Sequence, residues 1–262
     1  MTEEQKTQIK NHIKKVIVKK LRAYKPETQS MPFHYKLLGE DRMALFSFIH
    51  SLNTTFGTSI FESVAELLAK SKFVEVKKQY EVGKFISSHA QKEIQNIINE
   101  LATGRSKPNK LEEIERIRRV AQSGEQIEVN LVKADLFIID KEDKIYLFDI
   151  KTAKPNISNF KDFKRTLLEW IAVYLYKNIN AEVYSYIAIP YNPYESEYNR
   201  WTLNNMLDSK NELMVGKEFW NFLGGEGAYE HLLDCFEQVG VELRPILDEH
   251  FSNLQSRLNN NS

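Results

Sequence analysis

Two aspartates and a lysine stand at the ends of two apolar segments in the middle of the chain. Asp135 precedes the apolar run LFII, and Asp149, Ile150 and Lys151 end the segment IYLFDIK. A carboxylate on a half-buried strand costs free energy unless a cation or hydrogen bonds compensate its charge. These residue types therefore indicate that the segment binds a ligand, a cation or a metal ion.

Residues 125–150 have the pattern of a β-hairpin, and its register decides whether the two aspartates meet. β-Branched and aromatic residues dominate both runs, which are separated by the polar tip KED. With a three-residue loop, Asp135 lies opposite Asp149, and Lys151 shares their face because strand side chains alternate. A shift of one residue would place the aspartates on opposite faces, and the sequence leaves both registers open.

The predicted site suits a hard cation, because the two carboxylates have no neighbouring histidine or cysteine ligands. We expect Mg²⁺ rather than Zn²⁺, with Asp135, Asp149 and the main-chain carbonyl of Ile150 as ligands. Lys151 would help to orient or deprotonate a water molecule and would offset negative charge developing at phosphorus. The combination is suited to metal-assisted phosphoryl chemistry.

The elements around this site form three parts of one predicted domain, residues 1–262. Residues 1–124 are predicted to be mainly helical, because apolar residues recur at helical spacing in segments such as QIKNHIKKVIVKKL. Residues 125–190 read as strand, strand, helix and strand, the core of an α/β fold. Residues 191–262 are predicted to form a C-terminal helical part. We expect a central mixed β-sheet flanked by helices.

The composition of the 262-residue chain is that of a globular protein, with 42% hydrophobic and 27% charged residues. No apolar run is long enough to span a membrane, and the segment MTEEQKTQIKNHIKK lacks the apolar core of a signal peptide. The single cysteine cannot form an internal disulfide. We therefore expect a cytoplasmic protein without a membrane partner.

The formal net charge is zero, but the charges are unevenly distributed. Lysine and arginine are concentrated before residue 37, and acidic residues dominate residues 212–249. This asymmetry permits a basic face that binds phosphate groups, although a solvated helix face is the commoner explanation.

The site residues resemble the signature of PD-(D/E)xK nucleases, with Ala134 at the position of the proline. Three longer stretches, FGTSIFESVAELLAK, DIKTAKPNISNFKDFKRTLLEWIA and VGKEFWNFLGGEGAYEHLLDCFEQVG, resemble type II restriction endonucleases of the TdeIII type. The resemblance extends over most of the chain after residue 50. It implies a restriction-endonuclease-like fold and a homodimer that uses Mg²⁺ to cut both strands of double-stranded DNA at short palindromic sites. A GGNCC-like target is also implied.

Glu62, within the first of these stretches, is a candidate for an additional carboxylate that a helix carries to the metal site. The alternative is a surface glutamate or a helix-capping arrangement with Thr58 or Ser59. The sequence favours neither.

Polar residues that follow the predicted site are candidates for DNA contacts. Basic side chains at the start of the next helix could reach phosphates, and the turn IPYNPYESEYNRW carries groups able to read base edges. Solubility of the helix face, or loop structure alone, explains each residue taken singly at least as well. The phosphate candidates are Lys154, Lys161, Lys164 and Arg165, and the base-edge candidates are Asn192, Asn199 and Arg200.

Other functions remain open on the sequence alone. A structure-specific or repair nuclease of the same fold would not give discrete fragments from a long DNA. A non-catalytic DNA-binding module would bind DNA in a salt-sensitive way without Mg²⁺-dependent strand scission. A scaffold with a structural salt bridge at Lys151 ranks last, because one aspartate would stay unneutralised.

Overall fold

The computed structural model of the chain describes residues 1–25, 31–151, 153–194, 197–198 and 203–259. In these parts the protein is an α/β structure with a five-stranded mixed sheet and flanking helices. The predicted fold class is confirmed.

The chain divides into two compact units. The helical unit comprises Met1–Leu67 and Gly227–Ser262, and the sheet unit comprises Leu68–Glu226. The organisation as one functional domain stays a prediction.

Seven strands lie in the described parts of the sheet unit. They are β1 (Glu75–Tyr80), β2 (Phe85–Ser87), β3 (Gln126–Glu128), β4 (Ala134–Ile139), β5 (Ile145–Ile150), β6 (Val183–Ile189) and β7 (Leu213–Val215). The main sheet has the order β1-β4-β5-β6-β7, and β2 pairs with β3 separately. The β1–β4 and β4–β5 pairs are antiparallel, whereas β6 is parallel to both β5 and β7. The antiparallel hairpin that carries the two aspartates therefore lies inside the sheet, between β1 and β6.

Ten α-helices surround the sheet or build the helical unit in the described parts of the chain. They are α1 (Glu3–Ala23), α2 (Pro32–Leu38), α3 (Glu40–Thr55), α4 (Glu62–Ala69), α5 (Ser88–Ala102), α6 (Lys110–Val120), α7 (Phe160–Lys177), α8 (Leu203–Met206), α9 (Lys217–Gly224) and α10 (Ala228–Asn259). A π-helical stretch, Phe56–Phe61, joins α3 to α4, and a 3₁₀ turn, Ile157–Asn159, precedes α7.

Helix α7 is the crossover between the parallel strands β5 and β6, as the strand–strand–helix–strand pattern predicted. Its residues Leu167, Trp170 and Ile171 are fully buried. They belong to the same core as Phe137 of β4 and Leu147 of β5. The packing of α7 on the sheet thus fixes the strands whose ends carry the site.

In the helical unit, α1 packs against α10. The buried stripe of α1 consists of Ile9, Ile13, Ile17 and Leu21, in agreement with the helical spacing in the sequence. Among the described residues, no helix is both long and apolar enough to cross a membrane.

The structure corrects two local expectations and adds three strands. The predicted continuous strand 125–140 is interrupted between β3 and β4. Thr58 and Ser59 do not begin a helix, because they lie inside the π-helical stretch of a continuous helical segment. Strands β1, β2 and β7 were not predicted; β1 reads EVKKQY, and lysines on an edge strand obscure the apolar alternation.

Candidate active site

The β4–β5 hairpin has the register that brings the two aspartates together. Leu136 of β4 pairs with Phe148 of β5, so Asp135 lies opposite Asp149 one position further along. The alternative register, with the aspartates on opposite faces, is excluded. The predicted pairing is confirmed.

The hairpin tip fixes this register through its turn chemistry. The main-chain N–H of Asp140 donates to the carbonyl of Lys144 at 3.1 Å, which closes a three-residue loop. The Asp140 carboxylate also accepts the N–H groups of Glu142 and Lys144, at 2.9 and 3.0 Å. Asp143, with φ 60°, has the left-handed conformation that three-residue hairpin loops require.

Both carboxylate oxygens of Asp135 have hydrogen-bond donors. The main-chain N–H of Ile150 donates to Oδ2 at 2.8 Å, and the side-chain amide of Gln79 donates to Oδ1 at 3.0 Å. Asp135 is therefore fixed by the neighbouring strand on each side, β5 and β1.

The Asp149 carboxyl group is buried, with 4% of the residue exposed. Its pKa is raised from 3.8 to about 6, chiefly by burial, and the charge of Asp135 and a hydrogen bond with it act in the same direction. Lys151 lowers the pKa but does not offset these effects. The site thus contains a carboxyl group whose negative charge is poorly compensated by the protein alone.

Lys151 lies at the end of β5 and is held by three neighbours. Its ammonium group contacts Oδ1 of Asp149 and lies 5.2 Å from the ring centroid of Phe163 in α7. Its main-chain N–H donates to the carbonyl of Ala188 in β6 at 2.9 Å. The lysine is therefore positioned beside the aspartate pair by the sheet and by α7.

The donor set suits a hard cation. Asp135 and Asp149 present oxygen atoms only, and with Lys151 the three ionised groups carry a net charge of −1. No cluster of three or more histidine, cysteine, aspartate or glutamate side chains suited to a metal ion occurs in the described parts of the chain. An ion here would depend on the two aspartates, on a main-chain oxygen such as that of Ile150, and on oxygens of water or substrate.

Gln79 is a neighbour of the site that the sequence did not reveal. It belongs to β1, which was not predicted, so its position across from Asp135 could not be inferred. Recognition of EVKKQY as an edge strand paired to DLFII would have been the required signal.

Glu62 belongs to the helical unit, whereas the aspartates belong to the sheet unit. It directly follows the π-helical stretch and is 8% exposed, so it is not a surface residue. Its role as an additional carboxylate stays a prediction.

Lys164 is not available for DNA, and this expectation is corrected. Its side chain is fully buried in α7, where the ammonium group pairs with Glu113 and, at 2.7 Å, with Glu212. Glu212 also binds the buried ammonium group of Lys110 at 2.8 Å. Lys164 therefore belongs to an internal ion cluster formed by these four residues, hereafter the buried ion cluster.

The other phosphate candidates keep accessible side chains. Lys154 and Lys161 are exposed, and the Lys154 ammonium group lies 5.4 Å from the ring centroid of Tyr194. Arg165 is half-buried and donates to the side-chain oxygen of Gln95 at 2.6 Å. DNA contact by these three basic residues stays a prediction.

Of the base-edge candidates, only Asn192 is described. It is exposed, and its side-chain oxygen accepts the main-chain N–H of Tyr194 at 3.0 Å, as in an Asx turn. Its side chain thus has a local structural role whether or not it contacts DNA. Asn199 and Arg200 lie outside the described residues.

Comparison with known proteins identifies the class to which this fold and site belong. Residues 1–240 match the family described as type II restriction endonuclease, HinfI. Because the match covers most of the chain, the protein belongs to this family and is a restriction endonuclease whose substrate is DNA. The PD-(D/E)xK and TdeIII-like assignments are more specific than this family match, and they stay predictions.

Individual relatives have the same class of activity in their names. The chain is 26% identical to the type II restriction enzyme MjaII of Methanocaldococcus jannaschii, over 92% of this chain and 73% of the relative. It is 26% identical to HgiCII and 27% identical to HgiEI, both type II restriction enzymes of Herpetosiphon aurantiacus. Each of these alignments covers 80% of this chain and 77% of the relative.

Proposed function

We propose that the protein is a Mg²⁺-dependent type II endodeoxyribonuclease that hydrolyses phosphodiester bonds of double-stranded DNA at a PD-(D/E)xK-type site. The observation that carries the proposal is the hairpin register, which places Asp135, Asp149 and Lys151 together. Family membership supplies the substrate class, and this site supplies the chemistry.

Asp135, Asp149 and the carbonyl of Ile150 are the proposed metal ligands. The poorly compensated charge of buried Asp149 supports this assignment, since a divalent cation would neutralise it. When bound, the ion supplies positive charge to phosphoryl oxygens and lowers the pKa of a water molecule. Mg²⁺ matches a set of oxygen ligands that is completed by water and by a phosphate oxygen.

Lys151 is proposed to act on the attacking water and on the phosphate. The contacts with Phe163 and with the backbone of β6 limit where its ammonium group can lie. From this position the group donates hydrogen bonds to the water or to the phosphoryl oxygens as negative charge develops. The oxygen of the attacking water bonds to phosphorus while the water loses a proton to solvent. The bond between phosphorus and a deoxyribose oxygen breaks, and that oxygen takes up a proton from solvent.

The finer features of the proposal follow the TdeIII-type resemblance. They are a homodimer, a short palindromic target of the GGNCC type and double-strand cuts. Glu62 is proposed as an additional carboxylate of the metal site. The proposed phosphate contacts are Lys154, Lys161 and Arg165. Asn192, together with Asn199 and Arg200, is proposed to read base edges.

The decisive experiment is digestion of one long DNA of known sequence with Mg²⁺, followed by sequencing of the fragment ends. Discrete ends that share one palindromic sequence are expected, and they also give the stagger of the cut. A continuous smear, or cuts only at branched or damaged positions, would instead identify a structure-specific or repair nuclease.

Single substitutions test the assigned chemistry. We expect Asp135→Ala, Asp149→Ala and Lys151→Ala each to abolish cleavage while circular dichroism and DNA binding in a gel-shift assay are largely retained. Lys141→Ala serves as a control, because Lys141 is exposed at the tip of the hairpin and has no proposed role. Parental cleavage by Lys151→Ala would disprove the proposed mechanism.

A further inference from the structure

Gln79 has an unusual main-chain conformation for its place in the fold. Its φ is 49°, in the left-handed region, and within the described residues only one other non-glycine residue, Asp143, has a positive φ. Asp143 lies in a hairpin loop that requires this conformation, whereas Gln79 lies in strand β1. Such strain persists only where surrounding contacts impose it, and it is concentrated at functional sites.

The contacts around Gln79 hold the strand on both sides of the strained residue. Lys78 pairs with Leu136 and Tyr80 with Ala134, so Gln79 occupies the position opposite Asp135. The ring of Tyr80 stacks on a β4 phenylalanine with centroids 4.0 Å apart. The left-handed residue is therefore built into the β1–β4 pairing.

The strained conformation coincides with a specific contact to the site. The Gln79 amide donates to Oδ1 of Asp135 at 3.0 Å, while the Ile150 N–H donates to Oδ2. These two donors do not exhaust the carboxylate, which offers about four acceptor positions. The two donors thus fix the plane of the carboxylate without using all of its capacity for a ligand.

The chemistry of the donor matters because the amide is neutral. A lysine opposite Asp135 would form an ion pair and compete with a metal ion for the carboxylate. A glutamine orients Asp135 and leaves its negative charge uncompensated. This is the arrangement expected of a partner that positions a metal ligand, and loss of such partners typically lowers metal affinity about 10–100-fold.

We propose that Gln79 is a positioning residue of the active site, whose side-chain amide orients Asp135 for the divalent cation. This inference rests on the proposed function. It assigns Gln79 neither a contact with the ion nor a contact with DNA. It also accounts for the left-handed conformation, which places the amide within reach of Oδ1.

Two substitutions at position 79 distinguish the effect of losing the side-chain amide from the effect of the strained backbone. Gln79→Gly removes the amide and relieves the strained φ, whereas Gln79→Ala removes the amide and keeps the strain. If the amide positions Asp135, both variants bind Mn²⁺ about tenfold more weakly or worse, as measured from the electron paramagnetic resonance signal of free Mn²⁺. Both also need a correspondingly higher Mg²⁺ concentration for half-maximal cleavage. The melting temperature of Gln79→Gly stays at or above that of Gln79→Ala.

Lys77→Ala is the matched control, since Lys77 lies two positions away on the same exposed edge strand and pairs with Glu75. It should bind Mn²⁺ as the parental protein does. The inference is overturned if both Gln79 variants bind Mn²⁺ within twofold of the parental protein. It is also overturned if only Gln79→Ala is impaired, because Gln79→Gly lacks the amide too and binding would then not depend on it. A parental protein that neither binds Mn²⁺ nor cuts DNA would refute the proposed function itself.

Discussion

At the scale of single residues, the candidate site contains a buried charge that lowers the stability of the fold. Asp149 is almost completely buried, and its ammonium partner Lys151 does not restore the ordinary pKa of the carboxyl group. In the metal-free protein an ionised Asp149 therefore costs free energy. Active sites commonly retain such groups, because the substitution that stabilises the fold removes the function.

Asp149→Asn should consequently stabilise the metal-free protein while abolishing cleavage. The folded-state pKa is about 6 against an ordinary value of 3.8. This difference corresponds to at most about 3 kcal/mol, and we expect roughly 1–3 kcal/mol in the free energy of unfolding at pH 8 with EDTA. Urea unfolding of the variant and the parental protein measures it.

The sign of the pH dependence provides a second check. Because folding raises the pKa of Asp149, its stabilising contribution is fully present below about pH 4 and is lost as the pH rises through about 6. The advantage of Asp149→Asn should therefore be largest at pH 8 and disappear towards pH 4. Asp143→Asn, which removes a charge from the exposed hairpin loop, is the control and should change the free energy of unfolding at pH 8 much less. A destabilised Asp149→Asn variant at pH 8 would contradict the account of this site.

At the scale of elements, the buried ion cluster connects parts of the sheet unit that are distant in sequence. Lys110 begins α6, Lys164 lies in α7, and Glu212 precedes β7. Although burial alone would raise the pKa of Glu212, the two ammonium groups lower it. Glu212 also accepts the main-chain N–H of Asp208 at 2.8 Å. Glu212 thus pairs with two buried cations and fixes the segment before β7, while Glu113 is the second carboxylate of the cluster.

Glu212→Gln should be strongly destabilising for this reason. The amide retains one acceptor oxygen but leaves Lys110 without its paired carboxylate and Lys164 with Glu113 alone, and the expected loss is roughly 3–5 kcal/mol. Urea unfolding at pH 7 measures the change. Glu242→Gln provides the control, because Glu242 forms a solvent-screened surface pair with Lys14 and its loss should change the free energy of unfolding far less. Equal losses in the two variants would show that the buried ion cluster has no special role.

The elements also show which parts of the site could be predicted from sequence. The pairing of Asp135 with Asp149 was accessible because loop length and the alternation of a strand determine it locally. The burial of Lys164 could not be predicted from the sequence, because its partners Glu113 and Glu212 come from other elements. A lysine near the start of a helix is ordinarily expected to be exposed to solvent. Gln79 was missed for a related reason, since its strand is short, polar and at the sheet edge.

At the scale of the whole molecule, the described residues contain one candidate site with paired aspartates and a lysine. Two equivalent sites can each hydrolyse one strand of a palindrome, and a twofold-symmetric dimer supplies them in matching orientations. The proposed homodimer is therefore an arrangement suited to the proposed double-strand cut. It can be tested without knowledge of the interface.

Mixed dimers of parental and Lys151→Ala subunits should nick DNA instead of linearising it. If subunits exchange freely at equal concentrations, about half of the dimers contain one active and one inactive site. On a plasmid with a single target, these dimers cut one strand, so nicked circles accumulate on an agarose gel. Parental protein alone should give linear DNA, and Lys151→Ala alone should give neither product.

The mixture must first be denatured and refolded together, with a parallel parental sample to show that activity survives. Linear DNA without nicked circles in that mixture would mean that a single active subunit cuts both strands, and the homodimer would then be unnecessary for the double-strand cut.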